Sequence, residues 1–168
     1  MIDSMGLVHL STGDIFRKNI KGSTELGTLA KSYMDKGELV PDDVTIRMLE
    51  SEVNKQPDAK GFIFDGFPRT EAQAEALDAF LVSKNTTIFK MVALEVKEDE
   101  LVFRLLERGK DSGRPDDANE AVIRNRISVY ERETSIVAEH YRRQGKFVSV
   151  DGIGSVEAIS ERLAEALA

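Results

Sequence analysis

The sequence has no cysteine and no tryptophan, and only two histidines and four prolines among 168 residues. Without cysteine there is neither a disulfide framework nor a thiolate metal site, which fits a reducing compartment. His9 and His140 have no partner at metal-ligand spacing. No apolar run approaches the ~18 residues of a membrane span, and the N-terminus carries no signal-peptide pattern. A soluble, cytoplasmic protein is therefore the expectation, with no membrane partner. An excess of positive charge is also missing: the net charge is −7. That argues against nucleic acid or an anionic membrane as partner. Small anions remain open, because a local arginine cluster overrides the overall sign.

What is present is an ordinary globular composition, 41% hydrophobic and 32% charged, in a chain of single-domain length. Short apolar runs at Leu7–Leu10, Phe62–Asp65, Met91–Val96 and Phe147–Val150 read as four strands, the third fully buried. Helical spacing fills the intervals. Asp14 reads as the cap of a first helix with Ile15, Phe16 and Ile20. Leu26, Leu29, Ala30, Tyr33 and Met34 form a second, and Pro41 opens a third. Residues 11–40 are thus a small helical insertion between two strands. Thr70 caps a helix after the second strand and Ser155 caps the last one. A glycine- and proline-bearing loop, Gly109–Asp117, separates the helix starting near Asp99 from a long helix ending at Gln144. Asp116 and Asp117 read as caps of that long helix. Strands alternating with helices argue an α/β fold, a parallel sheet with helices on both faces.

The chemistry concentrates after the second strand, in Gly61-Phe-Ile-Phe-Asp-Gly-Phe-Pro-Arg-Thr-Glu-Ala-Gln73. Asp65 stands where the strand leaves the sheet, the place where open α/β sheets bind ligands. Gly66 allows close backbone approach, and Arg69 offers a planar fork suited to phosphate. Asp65 can hold magnesium through water, since that ion keeps several waters and needs few carboxylates; a turn aspartate satisfying backbone amides is the plain alternative. Arg17, Arg69, Arg104, Arg108, Arg114 and Arg126 are the phosphate candidates. Any single arginine on a helix is more often a solvated face. As a group they differ: Arg104 and Arg108 share one face just before the loop, Arg114 lies in it, and Arg126 follows early in the next helix. Such a loop can close over polyphosphate.

These residues resemble adenylate kinases of the short-lid type, within the nucleoside monophosphate kinase family. The resemblance rests on Ser11-Thr-Gly-Asp14, Gly37-Glu-Leu-Val40, Asp65-Gly-Phe-Pro-Arg-Thr70, Arg104 with Arg108, Ser112-Gly-Arg-Pro-Asp-Asp117 and Arg126, in that order. It runs from Gly6 to the C-terminus. It implies reversible phosphoryl transfer from MgATP to AMP, giving two ADP. It implies AMP contacts at Thr12, Arg17, Glu38, Leu39, Val40, Gly66, Phe67, Pro68, Arg69, Gln73, Arg114 and Arg126, with Gln73 reading the adenine edge. Arg104, Arg108 and the Gly154 backbone would face ATP. Arg69, Arg108, Arg114 and Arg126 would serve the transferring phosphoryl group, and Asp65 would hold magnesium through water. Thr70 favours AMP over UMP or CMP. The resemblance implies that residues 1–168 form one kinase-like core with an AMP-binding insertion at 11–40 and a short lid at 107–117. So short a lid without cysteine implies no zinc. A monomer is expected at full length.

One departure is large. The resemblance implies a strand, a Gly-x-x-x-x-Gly-Lys-[Ser/Thr] loop and a helix before Leu7, and the sequence contains no such loop; Gly152-Ile-Gly-Ser155 lacks the lysine. Roughly twenty residues are missing, including the strand expected between Phe62–Asp65 and Met91–Val96. The expectation is that Met1 is an internal methionine of a longer kinase. If this chain folds as it stands, those two strands pair directly or a neighbouring chain supplies an edge. The alternatives are an inactive AMP-binding remnant and, disfavoured by Thr70, a UMP/CMP kinase.

Overall fold

Two pairs of parallel strands carry the architecture of the computed structural model, which describes residues 6–168. Strand β1 (Val8–Ser11) lies beside β2 (Phe62–Asp65) in the register Val8–Phe62 to Ser11–Asp65. Strand β3 (Met91–Glu95) lies beside β4 (Phe147–Asp151), from Met91–Phe147 to Glu95–Asp151. Helices occupy every crossover: α1 (Thr12–Lys21), α2 (Glu25–Met34), α3 (Asp42–Asn54), α4 (Glu71–Ser83), α5 (Glu98–Ser112), α6 (Glu120–Val129), α7 (Ser135–Arg143) and α8 (Val156–Leu167). The α/β class and the four strands are as expected.

The strand pairs do not merge. Among the described residues no strand joins β2 to β3, and these two do not pair directly, contrary to one expectation. The consequence is visible in burial. The Met91–Val96 run was expected to be fully buried; instead Met91, Val92 and Ala93 are half-buried, Leu94 is 49% exposed, and the strand stops at Glu95. With a partner on one edge only, such a strand keeps part of its apolar surface in water.

Helix packing holds the halves together instead. Leu10, Leu49, Val53, Phe67, Leu77 and Leu81 form one core beside β1 and β2. Phe16, Ala30, Val40 and Met48 form a second under α1 and α2. The joint between halves is α4 against α7: Ala74, Val137 and Tyr141 are fully buried there, with Met91 and Phe147 packed against them. Above it the Asp78 carboxylate accepts from the Tyr141 hydroxyl at 3.2 Å and from Gln144 Nε2 at 2.8 Å, with His140 Nε2 also 2.8 Å away. Burial, then the Asp78 charge, pushes the Tyr141 hydroxyl well above its ordinary pKa.

Three local expectations need correction. Ser11, not Asp14, caps α1, its hydroxyl accepting from the Asp14 N–H at 3.4 Å; Asp14 sits in the first turn. The helix α5 does not break at Gly109 but continues to Ser112 and ends on Gly113 at φ +62°. A lone glycine is tolerated inside a helix, whereas a left-handed glycine stops one. Asp116 and Asp117 do not cap α6. They lie in a short 3₁₀ turn, and Asn119 is the cap, accepting from the Ala121 and Val122 amides. The long helix ending near Gln144 is really α6 and α7 joined by a π-helical turn, Tyr130–Thr134. No helix among the described residues is long and apolar enough to cross a membrane.

Candidate active site

The β1–β2 register sets Ser11 opposite Asp65, so Thr12 and Gly66 leave the sheet side by side. The buried Thr12 hydroxyl donates to the Gly66 carbonyl at 3.0 Å. Arg69 Nε donates to the same oxygen at 2.9 Å. Gly66 has φ +70°, and a Cβ there would lie 3.0 Å from Arg69 Nη2 and 3.1 Å from Thr12 Oγ1. Only glycine fits this turn without displacing both side chains. Phe67 is buried, and the Phe67–Pro68 bond is cis.

Arg69 is the centre of a positive field. Its guanidinium lies below its ordinary pKa, first because of burial and then because of the charges on Arg126 and Arg17; Asp65 and Tyr130 act the other way. Among the described residues no carboxylate comes within ion-pair distance of it. A guanidinium that lacks a carboxylate at ion-pair distance and feels two neighbouring cations favours an anion, with phosphate geometry matched by its planar fork.

The other arginines reach this region through aspartates. Asp14 Oδ1 lies 2.6 Å from Arg17 Nη2 and 3.4 Å from Arg114 Nη2. The hydrogen bond from Arg17, with the Arg17 and Arg114 charges, holds its carboxyl below the ordinary value against partial desolvation. This joins α1 to the segment after α5. Asp117, wholly buried, accepts from Arg108 Nε at 2.6 Å and Nη2 at 3.0 Å, and from Arg126 Nη1 at 2.7 Å. Burial opposes its ionisation, but the hydrogen bonds and charges of Arg108 and Arg126 outweigh it and hold the carboxyl below its usual pKa. The same bond raises Arg108. Asp116 Oδ2 adds a contact to Arg126 Nη1 at 3.0 Å.

Other expected residues lie as follows. Val40 is buried, Leu39 half-buried and Glu38 exposed, at the end of the helical insertion. That end is docked on α6: Asn125 Nδ2 donates to the Lys36 carbonyl at 2.8 Å, and a Cβ on Gly37 would strike the Val122 carbonyl at 2.8 Å. Arg104 is bound to Glu100 and donates to the Gly152 carbonyl at 2.8 Å, next to Gly154. Asp65 is exposed, with His9 Nε2 3.3 Å away. Such an open carboxylate has room for a hydrated divalent ion. No group of three or more His, Asp or Glu side chains that could hold a metal directly occurs among the described residues.

Gln73 is 2% exposed. Its Oε1 accepts from the Arg69 N–H at 2.8 Å, and its Nε2 donates to Asp42 Oδ1 at 2.8 Å. Asp42 Oδ2 accepts from the Thr70 hydroxyl at 2.9 Å, while that hydroxyl caps α4 by accepting from the Gln73 N–H. Asp42 was not among the sequence candidates, and neither was Thr134, whose hydroxyl donates to the Arg69 carbonyl at 2.9 Å. Asp14 and Asp117 had been read only as caps. Arg17 is three residues from Asp14 in the same helix, but Arg114, Arg108 and Arg126 lie on other elements than the aspartates they pair with, beyond any local pattern.

The family model described as adenylate kinase matches residues 1–146. The adenylate kinase of Flavobacterium psychrophilum is 56% identical over 165 residues, covering 98% of this chain and 87% of that protein. That of Bacteroides thetaiotaomicron is 46% identical over 99% of this chain and 88% of its own length. That of Micrococcus luteus is 46% identical, covering 98% and 80%.

Proposed function

The chain belongs to the adenylate kinase family, a family of phosphotransferases, and we propose that it seats AMP on the Gly66 turn for phosphoryl transfer from MgATP. The observation that carries this reading is the Gly66 turn, where Arg69 and Thr12 bind one carbonyl, with the charges of Arg17 and Arg126 acting on Arg69 and, among the described residues, no carboxylate within ion-pair distance of it. In the proposed complex, Arg17 and Arg69 hold the AMP phosphate, and Gly66 lets the nucleotide approach the backbone. Thr12, Phe67, Pro68 and Glu38 to Val40 frame the nucleoside, and Gln73 meets the base. Residues 11–40 act as the AMP-binding insertion and 107–117 as the lid.

Transfer between phosphates requires alignment, exclusion of water and neutralisation of spreading charge. Arg108 and Arg114 within the lid and Arg126 after it supply the last, paired in the resting state with Asp117, Asp14 and Asp116. Closure over the nucleotides exchanges those aspartates for phosphate oxygens. Arg104 and the Gly154 backbone border the ATP base. Magnesium, when bound with ATP, neutralises the donor phosphates, and Asp65 would hold its waters. The donor side of such a transfer also needs a glycine-rich phosphate loop, and these 168 residues contain none.

ADP formation from MgATP and AMP tests this, measured on the 168-residue chain and on the same chain extended at its N-terminus by a strand and a Gly-x-x-x-x-Gly-Lys-Ser loop. We expect turnover only in the extended chain. Turnover by the shorter chain would refute the donor-loop assignment, and turnover by neither would refute the kinase reading in favour of an AMP-binding remnant.

A further inference from the structure

We infer that Asp42 is a specificity-determining residue, which acts by fixing the direction in which the Gln73 carboxamide faces the base. The inference rests on the AMP-binding reading above.

A carboxamide is nearly symmetric in shape but opposite in polarity at its two ends, so what it recognises depends on which way round it is held. Gln73 is held one way only. Its Oε1 faces the Arg69 N–H, which can only donate, and its Nε2 faces the Asp42 carboxylate, which can only accept. Turning the amide over would set donor against donor and acceptor against carboxylate. In a side chain that is 2% exposed, water cannot repair either mismatch. Asp42 is itself fixed, since its second oxygen accepts from Thr70 Oγ1 and its backbone opens α3. One carboxylate thus ties the start of α3 to the cap of α4.

After these bonds, Gln73 keeps one lone pair on Oε1 and one N–H on Nε2. That pair matches a 6-aminopurine, whose amino group donates and whose N1 accepts. A 6-oxopurine presents the opposite polarity on the same frame, with an accepting oxygen and a donating N1–H. The locked amide accepts the first and rejects the second, and discrimination by mismatched polar groups in a closed site is large.

The test titrates AMP and IMP against the unaltered protein, Asp42→Ala, Gln73→Ala and the double variant. The unaltered protein should prefer AMP. Asp42→Ala should cut the AMP-to-IMP affinity ratio by about tenfold, because one of the two bonds that oppose turning of the Gln73 amide is then gone and only the Arg69 N–H still resists it. In the Gln73→Ala background the Asp42 substitution should leave the ratio unchanged. A merely structural role for Asp42, through Thr70 or α3, would weaken both nucleotides equally and preserve the ratio. The inference is overturned if Asp42→Ala keeps the ratio, or lowers it equally with Gln73 removed. If the unaltered protein binds both nucleotides without preference, this inference alone fails. If it binds neither, the AMP-binding reading itself fails, and the inference with it.

Discussion

The Thr134 hydroxyl donates to the Arg69 carbonyl oxygen at 2.9 Å, across 65 positions in sequence. Thr134 is buried and ends the π-helical turn between α6, which carries Arg126, and α7. Its bond therefore couples the helix bearing Arg126 to the backbone of Arg69. π-Helical turns inside helices recur at functional sites because they re-aim side chains, and here the turn aims Thr134 at the Gly66–Thr70 segment. Thr134→Val should cost about 1 kcal/mol of stability in denaturant titration and weaken AMP binding. Thr134→Ser should restore both. Equal AMP affinity for the valine and serine variants would remove Thr134 from the site.

Asp117, itself fully buried, neutralises the partly exposed Arg108 and shares Arg126 with Asp116. Removing its charge leaves Arg108 without its partner and Arg126 with Asp116 alone, so Asp117→Asn should destabilise the fold by about 2 kcal/mol, read by thermal or urea unfolding at neutral pH.

The pH dependence of that difference has a fixed sign. Asp117 titrates lower in the folded protein than its ordinary value, so the unfolded chain binds the proton first. The stabilisation is complete above about pH 4 to 5, the ordinary carboxylate range. It is lost as pH falls through the depressed folded value. Unfolding curves of the unaltered protein and Asp117→Asn should therefore converge in acid and separate toward neutrality. A gap independent of pH would show that the carboxylate charge is not what matters.

Gly66→Ala places a methyl within 3.0 Å of Arg69 Nη2 on a backbone at φ +70°. Both the strain and the displaced guanidinium oppose function. We expect a loss of about 1–2 kcal/mol in stability and a loss of at least about tenfold in AMP affinity. Calorimetric titration beside a melting curve separates the two. Unchanged AMP binding would mean that the Gly66 turn does not face the nucleotide.

Local patterns sufficed for the elements and for much of the candidate list. The four apolar runs became strands, Thr70 and Ser155 cap the helices expected of them, and two of the six arginines, Arg17 and Arg126, act on Arg69 at the Gly66 turn. What could not be read were pairings between distant positions. Asp42 with Gln73, Asp14 with Arg114 and Thr134 with Arg69 are 31, 100 and 65 residues apart. An aspartate near a helix start looks the same in sequence whether it caps that helix or partners a remote arginine, and for Asp116 and Asp117 the second outcome holds. The extension of α5 through Gly109 was equally hidden, because glycine lowers helix propensity without forbidding a helix.

The central claim is that Arg69 and the cations around it select a nucleotide by its phosphate. It is tested most directly by calorimetric titration of AMP and of adenosine against the unaltered chain and Arg69→Met. The account predicts saturable AMP binding to the unaltered protein and much weaker binding of adenosine. For Arg69→Met it predicts an AMP affinity at least about tenfold lower, consistent with the loss of a charge-assisted pair, and adenosine binding unchanged. Adenosine binding as tightly as AMP, or AMP binding to Arg69→Met with undiminished affinity, would contradict it.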